Sequence, residues 1–482
     1  MAGLTTAAYL ARAGMDVHVF EQHTVPGGYV SSFQRKGFIF PGGTTSFCSS
    51  GIVFPILEDL GLKDRLRFVR ADYQLSWGTH DIPLHSSTQV CEAFSRAFPH
   101  ERRHLKHYFS WVRAGEAAFK AMHESNVMFG GGNGAFRTMF RLVFKNPLIP
   151  WAMAKARKKT NRDLHAGHFS DPKLRGFLDS LGYPVMEGLV TMGMWYSFFH
   201  DYHMPIGGMQ VIPEAFVSYI TGHGGTIHLG KRVSRILVKN RRVTGVRLED
   251  GSEVSARFVV SAADMRTSLL GLLDEEHLPA PLIETLGKGS PSESMCVVYL
   301  GLDHDEGLAS HLERFHANHV AFHPDGGEPF HIVWLDKDDP SVVPEGGHAL
   351  WVGRGSPYER WSGLGREAYK EQKQKEAWNL IREAEKFIPG LSNHIRVMES
   401  ATPLTFERYT GNWRGATAGW NWDPSRNPHI HPVRDLAIIK GLYFAGHWVY
   451  SPGGVPTAMI TAWHVARQIL KMHTGKRDEV TP

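Results

Sequence analysis

The sequence predicts an α/β protein in which blocks of helix and strand near the start, middle and end of the chain are separated by regions of mixed sheet and helices. Three observations predict it. A small-residue helix, a short alternating strand and an acidic residue open the chain over 6–21. A helix, a strand and a hairpin occupy 205–263. A strand, a glycine turn and a long helix close it over 441–471. The length of 482 residues suits two or three domains. With 42% hydrophobic and 21% charged residues, and no repeats, the chain reads as a globular protein and neither a solenoid nor a disordered tract.

The opening block runs from TAAYLARA, Thr6 to Ala13, which is a helix closed by Gly14, into Asp16 to Phe20, an alternating strand followed directly by Glu21. Small residues let such a helix pack closely on a sheet, and an acid ending the second strand meets the ribose of a dinucleotide. Of the strand–GxGxxG–helix fingerprint only the last glycine, Gly3, is present. The first strand and the other two glycines would lie upstream of Met1, some 8 to 15 residues by roughly the usual spacing. Met1 is then expected to be an internal methionine or a trimming point, with weakened cofactor binding and a gap in the sheet.

In the second block, Pro205-Ile-Gly207-Gly208-Met209-Gln210 precedes a helix over Val211–Thr221, stopped by His223-Gly224-Gly225. Strands follow at Thr226–Leu229, Val233–Ile236 and Val243–Leu248, with turns at 239–242 and 249–251. Phe258 to Ala263 then ends in small residues. In the third block, Gly441 to Trp448 is a strand, Ser451 to Pro456 a turn, and Thr457 to Lys471 a helix. A glycine turn at a helix N-terminus directs free N–H groups at an anion or a ring oxygen.

These segments, with Glu21-Gln-His-Thr-Val-Pro-Gly27-Gly28 and Gly37-Phe-Ile-Phe-Pro-Gly42-Gly43-Thr44-Thr45, resemble the phytoene desaturase, carotenoid isomerase and retinol saturase group of the FAD-dependent amine oxidase superfamily. The resemblance spans nearly the whole chain. It implies a discontinuous FAD-binding Rossmann-like domain of the GR2 type, over 1–85, 205–265 and 432–482. A helical cap would occupy 86–204, and a mixed-sheet substrate domain 266–431. The resemblance implies FAD contacts at Gly3, Glu21 (adenosine ribose), Gly27 and Gly28 (diphosphate and ribityl chain), and Thr44 and Thr45 (isoalloxazine). It further implies contacts at Val233 (adenine), Ala262, Gly446, His447, Gly454 and Val455. Position 29, often basic in the group, is Tyr here. Position 447, often Asp or Glu in the wider superfamily, is His, whose neutral ring accepts one hydrogen bond.

On the substrate side, 125–162 holds eight Lys or Arg and no acid: Arg137, Arg141, Lys145, Lys155, Arg157, Lys158, Lys159 and Arg162. They alternate with bulky apolar residues such as Phe136, Phe140, Phe144 and Trp151, the composition of an interfacial membrane segment or of a solvated helix on the core. The resemblance favours a peripheral membrane enzyme that draws lipid-soluble polyenes from a bilayer, in the cytoplasm. Against this segment a net charge of +5 leaves the remainder slightly acidic and does not argue for nucleic acid. Two uncharged runs, Gly37–Leu57 and Gly441–Ala466, are cut by Pro-Gly-Gly and read as buried loops that hold a ligand, not membrane spans. Aromatic stretches at 192–199 and 402–422 serve either as tunnel wall or as core.

Other chemistries find little support. Cys48, Cys91 and Cys296 form no CxxC pair, which fits a reducing compartment. His316, His319 and His323 have helical spacing, but Pro324, Gly326 and Gly327 break the pattern and no HExxH accompanies them, so no metal is expected. No GxSxG elbow appears. The expected function is an FAD-dependent oxidoreductase, phytoene desaturase-like, moving hydride between a carotenoid- or retinoid-like isoprenoid and flavin N5. Saturase and cis-trans isomerase share every motif, and a non-enzymatic lipid-binding escort of related fold is the alternative from another class. No catalytic acid or base is assigned; substrate, direction, electron partner and oligomeric state are left open.

Overall fold

The computed structural model describes residues 1–474 except 49, 78–79, 125–126, 130–158, 182–184, 304, 325–326, 424, 428–438 and 452. The first helix, Ala2–Arg12, starts earlier than its periodicity suggests and is buried along nearly its whole length. Its alanines and threonines allow close contact with helices Val211–Gly222 and Val455–Thr474. Thr6 Oγ1 donates to the Ala462 carbonyl. Gly14, at φ +75°, ends the helix and turns the chain into strand His18–Glu21.

That strand pairs in parallel with Thr226–Leu229, and Val259–Ser261 pairs in parallel with Leu442–Phe444. Among the described residues the two pairs are not bonded to each other. Val17, Val19, Ile227 and Val260 of or beside these strands, with Leu4, Ala7 and Leu10 of the first helix, line the cavity described below. Strands Val233–Lys239, Arg242–Leu248 and Glu253–Ser255 form an antiparallel meander. Its tight turn holds Asn240 and Arg241 at φ +52° and +56°, the hand that matches strand twist.

A seven-stranded sheet forms the second layer, in the order Ile395–Ala401, Ser294–Leu302, His348–Ser356, Phe330–Trp334, His319–Phe322, Tyr73–Trp77, His80–Pro83. It is antiparallel except where His319–Phe322 runs parallel to Tyr73–Trp77. Residues 73–83 thus belong to the large sheet although they lie within the 1–85 segment that the resemblance implies for the cofactor domain. Along Ser294–Leu302 the side chains alternate: Cys296, Val298 and Leu300 join a core under helix Arg366–Glu385, whereas Val297 and Tyr299 face Phe38, Phe40 and Phe406.

Helices Ser87–Ala97, Arg102–Glu124, Asn161–His168, Pro172–Ser180 and Gly188–His200 form the helical region around Phe94, Phe109, Phe177, Trp195 and Phe199. Glu101 joins two of these helices from a fully buried position, accepting from the N–H and Oγ of Ser170 and from the N–H of Asp171. Of the eight basic residues in 125–162, Lys159 and Arg162 are exposed and the other six lie outside the described residues.

The first uncharged run is more regular than a loop. It contains strand Phe38–Pro41 and helix Ser50–Asp59, with Pro55 inside that helix. Among the described residues no helix is long and apolar enough to cross a membrane.

Candidate active site

A single continuous cavity of about 1540 Å³ brings all three sequence blocks together. Every residue singled out for the cofactor lines it: Gly3, Glu21, Gly27, Gly28, Thr44, Thr45, Val233, Ala262, Gly446, His447, Gly454 and Val455. Typical small-ligand pockets span about 300–1,000 Å³. This cavity is therefore larger than one ordinary ligand requires.

The glycines make the floor. At Gly27 φ is +121°, and a Cβ would stand 2.6 Å from Cγ of Pro213, so only hydrogen fits. A Cβ on Gly3 would meet Cβ of Ala262 at 3.4 Å, which marks how closely the first helix approaches the end of strand Val259–Ser261. Gly446 has φ +131°, and its N–H donates to Thr461 Oγ1 at 2.9 Å, locking the strand end to the last helix. Gly454 and Val455 form the N-terminus of that helix, where free N–H groups and the helix dipole favour an oxygen ligand.

Glu21 ends strand His18–Glu21 and accepts from the N–H of His23 at 2.9 Å, which fixes one carboxylate oxygen. The Met1 ammonium is pushed down to about 6 by burial, partly opposed by Glu21. Tyr29 turns away from any ionic role: its hydroxyl donates to the carbonyls of Ala416 and Gly415, at 3.0 and 3.1 Å, and burial raises its pKa. Thr44 Oγ1 donates to the Ser46 carbonyl at 2.7 Å. Burial, with the nearby chain terminus, pushes His447 down to about 4. Its Nε2 is buried without a hydrogen-bond partner, a neutral acceptor or donor awaiting a ligand.

Other cavity residues carry no sequence signal of their own. Asp264, 3% exposed, accepts from the N–H groups of Thr267 and Trp413 at 2.7 and 3.0 Å. Burial still raises its pKa against those bonds. The cavity's apolar arm is formed by Phe119, Met122, Met128, Met186, Val190 and Met194. In the 192–199 stretch, Trp195, Phe198 and Phe199 are core, whereas Gly193, Met194 and Ser197 line this arm. Trp420 is likewise core, and Trp422 lines the cavity. Cys48 is also on the wall, but burial and the charge of Asp201 push its thiol up to about 12, so it is no nucleophile at neutral pH. Among the described residues no group of three His, Cys, Asp or Glu is placed to hold a metal. His319 belongs to a strand and not to a helical face.

The comparisons agree with this geometry. Prolycopene isomerase 1, chloroplastic, from an Oncidium hybrid cultivar is 25% identical over 94% of this chain and 79% of its own length. A zeta-carotene-forming phytoene desaturase from Myxococcus xanthus is 25% identical over 100% of this chain and 94% of its own length. Wild-type putrescine oxidase bound to putrescine shares the fold, with a TM-score of 0.64 at 13% identity over 97% of this chain and 96% of that one. The family described as flavin containing amine oxidoreductase matches residues 1–470. The chain belongs to that family, and it is an FAD-dependent oxidoreductase with the family's α/β fold.

Proposed function

We propose that this oxidoreductase acts on a long apolar polyene of the carotenoid or retinoid kind, in the desaturase direction. The single observation that carries the reading is the continuity of the cavity. The glycines and Glu21 that suit a cofactor line the same cavity as a set of methionine, phenylalanine and valine side chains. Flexible, polarisable methionines suit a long hydrocarbon chain, because they adapt to its contour at little cost. Similarity to a phytoene desaturase supports the reading, and equal similarity to a prolycopene isomerase favours cis-trans isomerisation as the second one.

The residues present fit FAD. Gly3 with the first helix takes the diphosphate, Glu21 the adenosine ribose and the Val233 backbone the adenine. Gly27, Gly28 and Ala262 leave room for the cofactor chain. Thr44, Thr45, Gly446, Gly454 and Val455 border the ring, and the unpartnered Nε2 of His447 takes one cofactor hydroxyl or carbonyl. Bound FAD supplies hydride acceptance or return, and the chain supplies orientation and a dry enclosure. The apolar arm aligns the polyene and excludes water, and delocalisation along the polyene spreads developing charge. A cofactor domain over 1–85, 205–265 and 432–482, with helical and substrate regions at 86–204 and 266–431, is the division that accompanies this reading. Delivery from a membrane surface through 125–162 is part of it.

The test is incubation of the FAD-loaded protein with carotenoid and retinoid series in vesicles, followed by product chromatography. New double bonds confirm desaturation, and geometric isomers alone confirm the second reading. Unchanged substrates throughout would remove both.

A further inference from the structure

The apolar arm of the cavity has one polar wall. Ser46, 8% exposed, and Tyr73 share a hydrogen bond of 3.0 Å between their hydroxyl oxygens. The two hydroxyls carry two O–H protons, and the shared bond uses one. Among the described residues neither hydroxyl makes a further hydrogen bond. The Tyr202 ring lies 4.7 Å from that of Tyr73, and the Ser197 hydroxyl donates to the Gly193 carbonyl at 3.1 Å.

His123 completes the wall. Its Nδ1 is 4.0 Å from Asp201 Oδ2, and Gly51 makes space for its ring, since a Cβ there would stand 2.6 Å from Cγ of His123. Burial lowers the imidazole pKa against the pull of Asp201. Ser46, Cys48, Tyr73, His123, Ser197 and Tyr202 all line the same cavity as the methionines. These polar groups partly satisfy one another, as a purely structural cluster would. The spare hydroxyl proton of the Ser46–Tyr73 pair, in the lining of a cavity that also carries methionine and phenylalanine, is what a structural role leaves unexplained.

We propose that this wall is an oxygen subsite, at which the Ser46–Tyr73 pair donates a hydrogen bond to a hydroxyl or carbonyl oxygen carried by the polyene. The inference rests on the polyene function above and narrows it: the preferred substrate is an oxygen-bearing polyene and not a pure hydrocarbon. A site built to hydrogen-bond a substrate oxygen rejects the analogue lacking it, because the site's own donor is then stranded.

The test uses FAD-loaded protein and three ligands of one carbon skeleton: a polyene alcohol, its aldehyde and its hydrocarbon, each in detergent micelles. Affinity is read by quenching of tryptophan fluorescence, independently of turnover. The alcohol and aldehyde are expected to bind about tenfold or more tightly than the hydrocarbon. In the Ser46→Ala, Tyr73→Phe double variant that ratio falls to within about twofold of unity. Melting and FAD content check that the variant is folded, and Ser46→Ala alone carries the same readout if the double variant is not. Equal or tighter hydrocarbon binding in the unsubstituted protein overturns the subsite, as does an oxygen preference that survives both substitutions. Binding of none of the three overturns the polyene function itself, and the subsite with it.

Discussion

Thr45 Oγ1 lies 3.0 Å from Nε2 of His319, and this bond ties the turn at the cavity wall to the seven-stranded sheet. His319 is 7% exposed and stacks on Tyr73 at 4.5 Å. Its other nitrogen, Nδ1, has no hydrogen-bond partner. Thr45→Val removes the imidazole's side-chain partner while keeping the shape. The expected cost is about 1–3 kcal/mol, because a buried polar group is left without a bond. Denaturant midpoints measure it, and an unchanged midpoint would show that water replaces the hydroxyl.

Gly27 offers a sharper test of the cofactor floor. A Cβ there collides with Pro213 and forces an L-residue to φ +121°. Gly27→Ala is expected to destabilise the fold by about 1–3 kcal/mol. It is also expected to weaken FAD affinity at least tenfold, in a titration of the apoprotein. Retained affinity would show that the cofactor does not approach this backbone.

The buried histidines predict a pH dependence. Burial, with a smaller contribution from His331, pushes His319 down to about 3, and burial pushes His331 to about 4. His447 also falls to about 4, through burial and the chain terminus. Between about pH 6.5 and 5 the unfolded chain therefore binds protons that the folded chain refuses. Stability of the apoprotein should fall as pH falls through that window, by up to about 1.4 kcal/mol per pH unit for each imidazole. Thermal melts at pH 6.5 and 5 read it out, and an unchanged melting temperature would contradict neutral buried rings.

Glu101 gives a second, lower window. Burial alone would raise its pKa, but hydrogen bonds from Ser170, His104 and Asp171 override it and hold the carboxyl at about 2. Its stabilisation is present above the ordinary carboxylate range near 4.5 and is lost as pH falls from there toward 2. Glu101→Gln should lower stability by about 2 kcal/mol at neutral pH, with the difference shrinking in acid. Melts of both proteins at pH 7 and pH 3 test it; a constant difference would count against the depressed carboxyl.

How much of this was legible follows from distance along the chain. Gly27, Gly28, Gly446 and Gly454 sit in short glycine-bearing turns beside strands and helices with clear periods, so the turns are legible locally, and the resemblance to the flavoprotein group is what assigns them to one cofactor. The polar wall could not be read that way. Ser46, Tyr73, Ser197 and Tyr202 come from separated segments, and only the packing of helix Gly188–His200 beside strand Tyr73–Trp77 brings them together. Strand Tyr73–Trp77 falls in the 1–85 segment expected for the cofactor domain, because its pairing with His319–Phe322 spans more than two hundred residues and leaves no local trace. Asp264 escaped for a related reason: its meaning lies in the N–H of Trp413, far along the chain.

The most direct measurement of the central claim is anaerobic mixing of the FAD-loaded protein with carotenoid and retinoid polyenes while the flavin's blue absorption band is followed. The account predicts bleaching of that band by a polyene with an allylic C–H to give up, or its return when pre-reduced protein meets a more unsaturated one. A protein that binds flavin yet shows no spectral or product change with any of these polyenes, in either redox state, would contradict it.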